Sequence, residues 1–99
     1  MAEHGEIIVS SKAFRTFLKL VRDAYQNQVE VTFILAHKEL TVYSLKLPIE
    51  GRGLESGEYE ITSGSLNRMI KILKYASDQP IVVSFEDCWN CFNLKSCHF

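Results

Sequence analysis

No run in this 99-residue chain approaches the ~20 apolar residues that a membrane span needs. The opening residues, Met1-Ala2-Glu3-His4-Gly5-Glu6, lack the basic start and apolar core of a secretory signal. A cytosolic (cytoplasmic) or nuclear protein is therefore expected. Cysteine is scarce, and three is an odd count, which argues against a secreted disulfide framework. Net charge is only -1, so the chain as a whole is not basic. Glycine clusters once, in Glu50-Gly51-Arg52-Gly53-Leu54-Glu55-Ser56-Gly57. Its spacing fits neither nucleotide-binding fingerprint, and no Lys-Ser/Thr follows, so it reads as a linker.

What the chain does have is amphipathic helix. From Ser10 to Tyr25, Phe14, Phe17, Leu18, Val21, Ala24 and Tyr25 share one side at about 100° per residue. Lys12, Arg15, Lys19 and Arg22 form a stripe expected to lie roughly opposite, and Ser10 or Ser11 is a suitable N-cap. Alone, such a stripe reads most simply as a solvated face. The pattern, however, comes twice. From Thr62 to Ala76, Leu66, Met69, Ile70, Leu73 and Ala76 are apolar, while Arg68, Lys71 and Lys74 are basic.

A shift of 52 positions superposes the two stretches: Ser11 on Ser63, Phe14 on Leu66, Lys19 on Lys71, Arg22 on Lys74. Continued without a gap, it sets Val29 on Ile81, Val31 on Val83 and Phe33 on Phe85. An internal repeat of this length outweighs any local motif in fixing the architecture. The expected domain is single, with repeat one over 6–50, a linker at 51–57 and repeat two over 58–99. Strands are expected at Glu6–Ser10, Val29–Leu35 and Leu40–Leu45, the last continuing extended through Lys46-Leu47-Pro48-Ile49. In the second half they are expected at Glu58–Thr62, Ile81–Phe85 and Asn90–Lys95. The first helix should end at Asn27 and the second near Ser77-Asp78, with Pro80 as a stop. The fold class expected is α+β: a duplicated β-α-β-β unit with two helices on one face of an antiparallel sheet.

Charge is divided by layer. The two helices hold seven of the eleven Lys and Arg but one acid of twelve, Asp23. One layer is thus strongly positive and the other strongly negative, a field that draws polyanions to one side.

Catalytic and metal readings are weaker. His4, His37 and His98 have no nucleophile or carboxylate placed beside them, so no enzyme and no cofactor is read. Cys88-Trp89-Asn90-Cys91 has zinc-knuckle spacing with Cys97-His98 downstream. Adjacent strand residues face opposite ways, so ordinary thiols fit better than a closed four-ligand site. Trp89 and Tyr75 are candidates for stacking on bases, though packing or interface roles are commoner for such residues.

The duplicated unit, with basic helices together and an acidic sheet outside, resembles one domain of the DNA sliding clamps. These are the bacterial DNA polymerase III beta subunit and the eukaryotic proliferating cell nuclear antigen. Ile7-Ile8-Val9-Ser10-Ser11-Lys12-Ala13-Phe14 is similar to a clamp's opening strand and helix start. Glu39-Leu40-Thr41-Val42 is similar to its hairpin return, and Glu58–Thr62, Val83–Asp87 and Leu94–Phe99 to the second half of a bacterial-type domain. The resemblance implies a processivity factor of DNA replication or repair. Lys12, Arg15, Lys19, Arg22, Arg68, Lys71 and Lys74 would touch duplex phosphates loosely without reading bases. Clamp rings use about six such domains in cyclic symmetry, so a homo-oligomer or replication-protein partners are expected, with no membrane and no small-molecule substrate. An adaptor or clamp mimic on the same fold, without DNA binding, is the alternative.

Overall fold

Two short side chains start the two helices of the computed structural model, which describes residues 4–36, 38–52, 57–75, 77–86 and 91–97. Ser10 ends β1 (His4–Ser10) and caps α1 (Ser11–Ala24), its Oγ accepting the Ala13 N–H at 3.3 Å. Thr62 ends β6 (Gly57–Thr62) and caps α2 (Ser63–Lys74), its Oγ1 accepting the Ser65 N–H at 3.2 Å. Each cap satisfies one of the amide donors that a helix start leaves free. The cap of α1 is thus Ser10. Ser11 is buried instead.

The other strands are β2 (Glu30–Leu35), β3 (Glu39–Val42), β4 (Leu45–Pro48), β5 (Glu50–Arg52), β7 (Pro80–Glu86) and β8 (Cys91–Cys97). They form two four-stranded antiparallel sheets, ordered β5-β1-β7-β8 and β4-β3-β2-β6, where a single sheet was expected. The fold is α+β. Each helix leaves one sheet and delivers the chain to the other: β1-α1-β2 crosses one way and β6-α2-β7 crosses back. The core lies between helices and sheets. Phe14, Phe17, Leu18 and Val21 of α1 meet Leu66, Met69, Ile70 and Leu73 of α2, with Ile7, Phe33, Leu40, Tyr59 and Ile81 from the strands. Fully burying each such side chain contributes about 1.5–3 kcal/mol.

The strand–helix junctions correct the gapless alignment. Ser10 pairs with Pro80 and Thr62 with Glu30, while the Ser11 N–H donates to Gln79 C=O and the Ser63 N–H to Val29 C=O. Up to the helix starts the offset is 52, but Glu30 now corresponds to Pro80 and Val29 to Gln79. Val31 therefore occupies the place of Ile81 rather than Val83, and Phe33 that of Val83. The two missing residues are in the helices, since α1 has 14 and α2 has 12. A slip of two keeps every side chain on its own sheet face, so the hydrophobic pattern does not reveal it.

Several boundaries also move. Helix α1 stops at Ala24, with the Tyr25 N–H closing on Val21 C=O at 3.0 Å, short of Asn27. Helix α2 stops at Lys74, and Pro80 opens β7 instead of ending a helix. Val29 precedes β2 and is 76 % exposed, so it does not share the inward face of Val31. Leu40–Leu45 is not one strand: Tyr43 and Ser44 make a tight turn joining β3 to β4, with Tyr43 at φ 54°. Glu50–Arg52, at the start of the Gly-rich stretch, pairs with β1, and residues 53–56 lie outside the described residues. So do His37, Ala76, Asp87, Cys88, Trp89, Asn90 and His98, with the readings that rest on them. Among the described residues, no helix is long and apolar enough to cross a membrane.

Candidate nucleic-acid interface

The two helices lie side by side and antiparallel. The start of α1 is tied to the segment after α2, where Ser11 Oγ donates to Ser77 C=O at 2.7 Å and accepts the Gln79 N–H at 3.2 Å. The last turn of α1 lies beside the first turn of α2. There Arg22, Asp23 and Tyr25 share a 270 Å³ hollow with Ser63, Leu66 and Asn67.

Helical geometry then fixes where the cations go. Taking the buried stripe of each helix as zero, Arg15, Lys19 and Arg22 sit about 80–140° round α1. On α2, Lys74 sits about 110° and Lys71 about 170° round. The hollow shared by Arg22 and Asn67 identifies these flanks as the ones that face each other. The α1 stripe therefore runs from the seam, at Arg22 and Arg15, round toward the side opposite the apolar face, at Lys19 and Lys12. Arg15, Lys19 and Arg22 are half-buried. Lys12, Arg68, Lys71 and Lys74 are exposed. Reading down the antiparallel pair, Arg22 lies near Asn67, and the cations that follow run in opposite chain directions, Lys19 and Arg15 on α1 and Lys71 and Lys74 on α2. Asn67 is the seam position that charge counting passes over, and its place near Arg22 is the signal that finds it.

These charges are little neutralised. The ion pair among the described residues is Arg22 Nε with its neighbour Asp23 Oδ1, at 3.1 Å. Arg15 Nε is buried with no hydrogen-bond partner. Lys74 Nζ lies 5.6 Å from the centroid of the Tyr75 ring, and that ring is 83 % exposed. The acids lie elsewhere. Glu30, Glu58 and Glu60 are exposed on the outward face of β2 and β6, alternating with the buried Val31, Tyr59 and Ile61. The arrangement offers a polyanion a row of cations on one side of the molecule and repulsion on the other.

At the end of α1 the Tyr25 and Tyr43 rings meet at 4.7 Å with a 60° tilt, and the Tyr43 hydroxyl donates to Gln28 Oε1 at 3.2 Å. A second hollow, about 530 Å³, opens on the far flank of α1, between that helix and β4. Two of its residues match the repeat, Leu20 with Ile72 and Lys46 with Lys95, but neither is singled out by the buried stripe or by the helix charges. Leu20 is visible only as an apolar residue outside the buried stripe, and 53 % of it is exposed.

No protein-family model, no curated protein and no solved structure matches the chain.

Proposed function

We propose that this protein associates with duplex DNA as a clamp-like module, holding the phosphate backbone through its paired basic helices without reading sequence. On this reading the two β-α-β-β halves are copies of one unit, and a ring or partial ring of several copies surrounds or flanks the duplex. The single observation that carries it is the antiparallel helix pair, with Arg15, Lys19, Arg22 and Lys74 on the flanks that meet and Lys12, Arg68 and Lys71 exposed on the outward side of the same two helices. Cations on long flexible side chains contact phosphates and release counterions, which gives affinity without register. Loose contact of that kind permits sliding, whereas base-specific bonds would pin the protein.

The test is a double charge reversal, Lys19→Glu with Lys71→Glu, one position on each helix. Neither is buried, so melting should stay close to that of the native chain. Affinity for duplex DNA should fall by more than about a hundredfold at moderate salt, because two attractive contacts become repulsive. Undiminished DNA affinity in that variant contradicts the basic-helix mechanism. Native mass by light scattering separates the competing adaptor or clamp-mimic reading: a closed ring is an oligomer, and a mimic that ignores DNA has no need to be one.

A further inference from the structure

From the groove between α1 and β4 we infer that the protein binds an extended peptide segment of a partner in which apolar and acidic residues alternate. The floor is apolar: Ala13, Phe17 and Leu20 from α1 and Leu47 from β4. Leu20 leaves 53 % of its surface in water. Lys12 and Lys46 stand at the rim. Neither has an ion pair among the described residues. The one acid in the groove, Asp78, already accepts a 2.6 Å hydrogen bond from Ser10 Oγ. With two lysines against that one acid, the groove carries a positive excess, and it sits beside exposed hydrocarbon.

The backbone supplies the rest. β4 ends its sheet, so one of its sides has no paired strand among the described residues. The Ile49 N–H donates to Lys38 C=O at 3.0 Å. In the same register Leu47 faces Leu40 and Leu45 faces Val42. Hydrogen-bonded and non-bonded pairs alternate along an antiparallel ladder. Leu45, Leu47 and Ile49 thus direct their backbone groups toward β3. Lys46, facing Thr41 in the alternate position, turns its N–H and C=O outward to the free edge. Pro48 turns a C=O outward too but has no N–H to give. The edge offers one full backbone pairing at Lys46 and one further acceptor. A segment added there places alternate side chains on the apolar floor and the others beside Lys46, which favours leucine-like and carboxylate side chains in turn.

A second copy of this chain is the less suitable occupant. Two copies pairing through this edge would bring Lys46 of one against Lys46 of the other, and such like charges repel. A segment carrying carboxylates meets the same lysine with opposite charge. The groove also lies open to water along its length, which suits a segment laid across it better than a small amphiphile, since such ligands are mostly enclosed.

The experiment is fluorescence anisotropy with labelled acetyl-Glu-Leu-Glu-Leu-Glu-amide. Acetyl-Leu-Leu-Glu-Glu-Glu-amide serves as the composition control and dodecanoate as a competing amphiphile. The alternating peptide should bind, and the control about tenfold or more weaker, because only alternation sorts the two side-chain types. Leu20→Glu should weaken binding by at least about tenfold, and Lys46→Glu by about threefold. Both positions are exposed, so melting reports whether either variant still folds. The Lys19→Glu, Lys71→Glu protein should bind the peptide normally, which separates this groove from the DNA reading. No binding, equal binding of the control, an unaffected Leu20→Glu variant, displacement by dodecanoate alone, or self-association that closes the groove would each overturn the inference.

Discussion

Replacing Ser11 with alanine should cost far more than the same change at Ser63, although the two serines open their helices in the same way. Both donate a backbone N–H across to the strand lead-in of the other half, Ser11 to Gln79 and Ser63 to Val29. Only Ser11 adds its side chain. Its buried Oγ donates to Ser77 C=O at 2.7 Å and accepts the Gln79 N–H at 3.2 Å. Losing two such bonds costs about 0.5–1.5 kcal/mol each, and the part-buried Gln79 N–H loses a partner it cannot fully replace. A total near 2 kcal/mol is expected. In a domain of this size each kcal/mol moves Tm by about 4–8 °C, so Ser11→Ala should melt roughly 8–16 °C lower. Ser63 has no side-chain hydrogen bond in the described structure, and Ser63→Ala should stay within about 0.5 kcal/mol. Urea titration followed by circular dichroism measures both, with the m-value showing whether the transition remains comparable. Equal losses at the two serines, or a loss under about 0.5 kcal/mol at Ser11, would refute the assignment of the Ser77–Gln79 tether.

Other outcomes follow from the same geometry. Gly57→Ala should destabilise by about 1–2 kcal/mol, because a Cβ there meets Tyr59 Oη at 3.2 Å and its ring at 3.3 Å, and that ring is buried. Gly64→Ala has open space around the new methyl, so it should gain about 0.5–1 kcal/mol from helix propensity. Thermal melts distinguish the two signs. Leu18→Ala empties a fully buried site in α1 and should cost about 2–5 kcal/mol, measured as a lower urea midpoint. Removing the cap of α2 with Thr62→Ala should cost about 1 kcal/mol, with slower hydrogen exchange lost first at the Ser65 amide.

Both helices and most strands were legible because their signals are local. The 3.6-residue spacing of Phe14, Phe17, Leu18 and Val21, and of Leu66, Met69, Ile70 and Leu73, marks the faces that the core buries. Alternation in Val31, Phe33 and Leu35 marks β2. What escaped depends on partners distant in sequence. The Tyr43-Ser44 turn carries none of the glycine or asparagine that a positive φ favours, and Tyr43 is held instead by Tyr25 and Gln28. β5 is a strand because β1 has an open side at Glu6, Ile7 and Ile8, which Gly51 does not announce. The helix cations were found by counting, but their place was not. A helical wheel gives the angle between a stripe and the apolar face, whereas the flank that meets a neighbouring helix emerges only from packing.

The most direct measurement of the central claim is the salt dependence of duplex DNA binding by the native protein. Each phosphate neutralised contributes about -0.9 to the slope of log affinity against log salt. Engagement of Arg15, Lys19, Arg22, Lys71 and Lys74, with or without Lys12 and Arg68, predicts a slope between about -4.5 and -6.3, unchanged between DNA sequences. A slope near zero, or affinity that follows sequence rather than salt, would contradict the account.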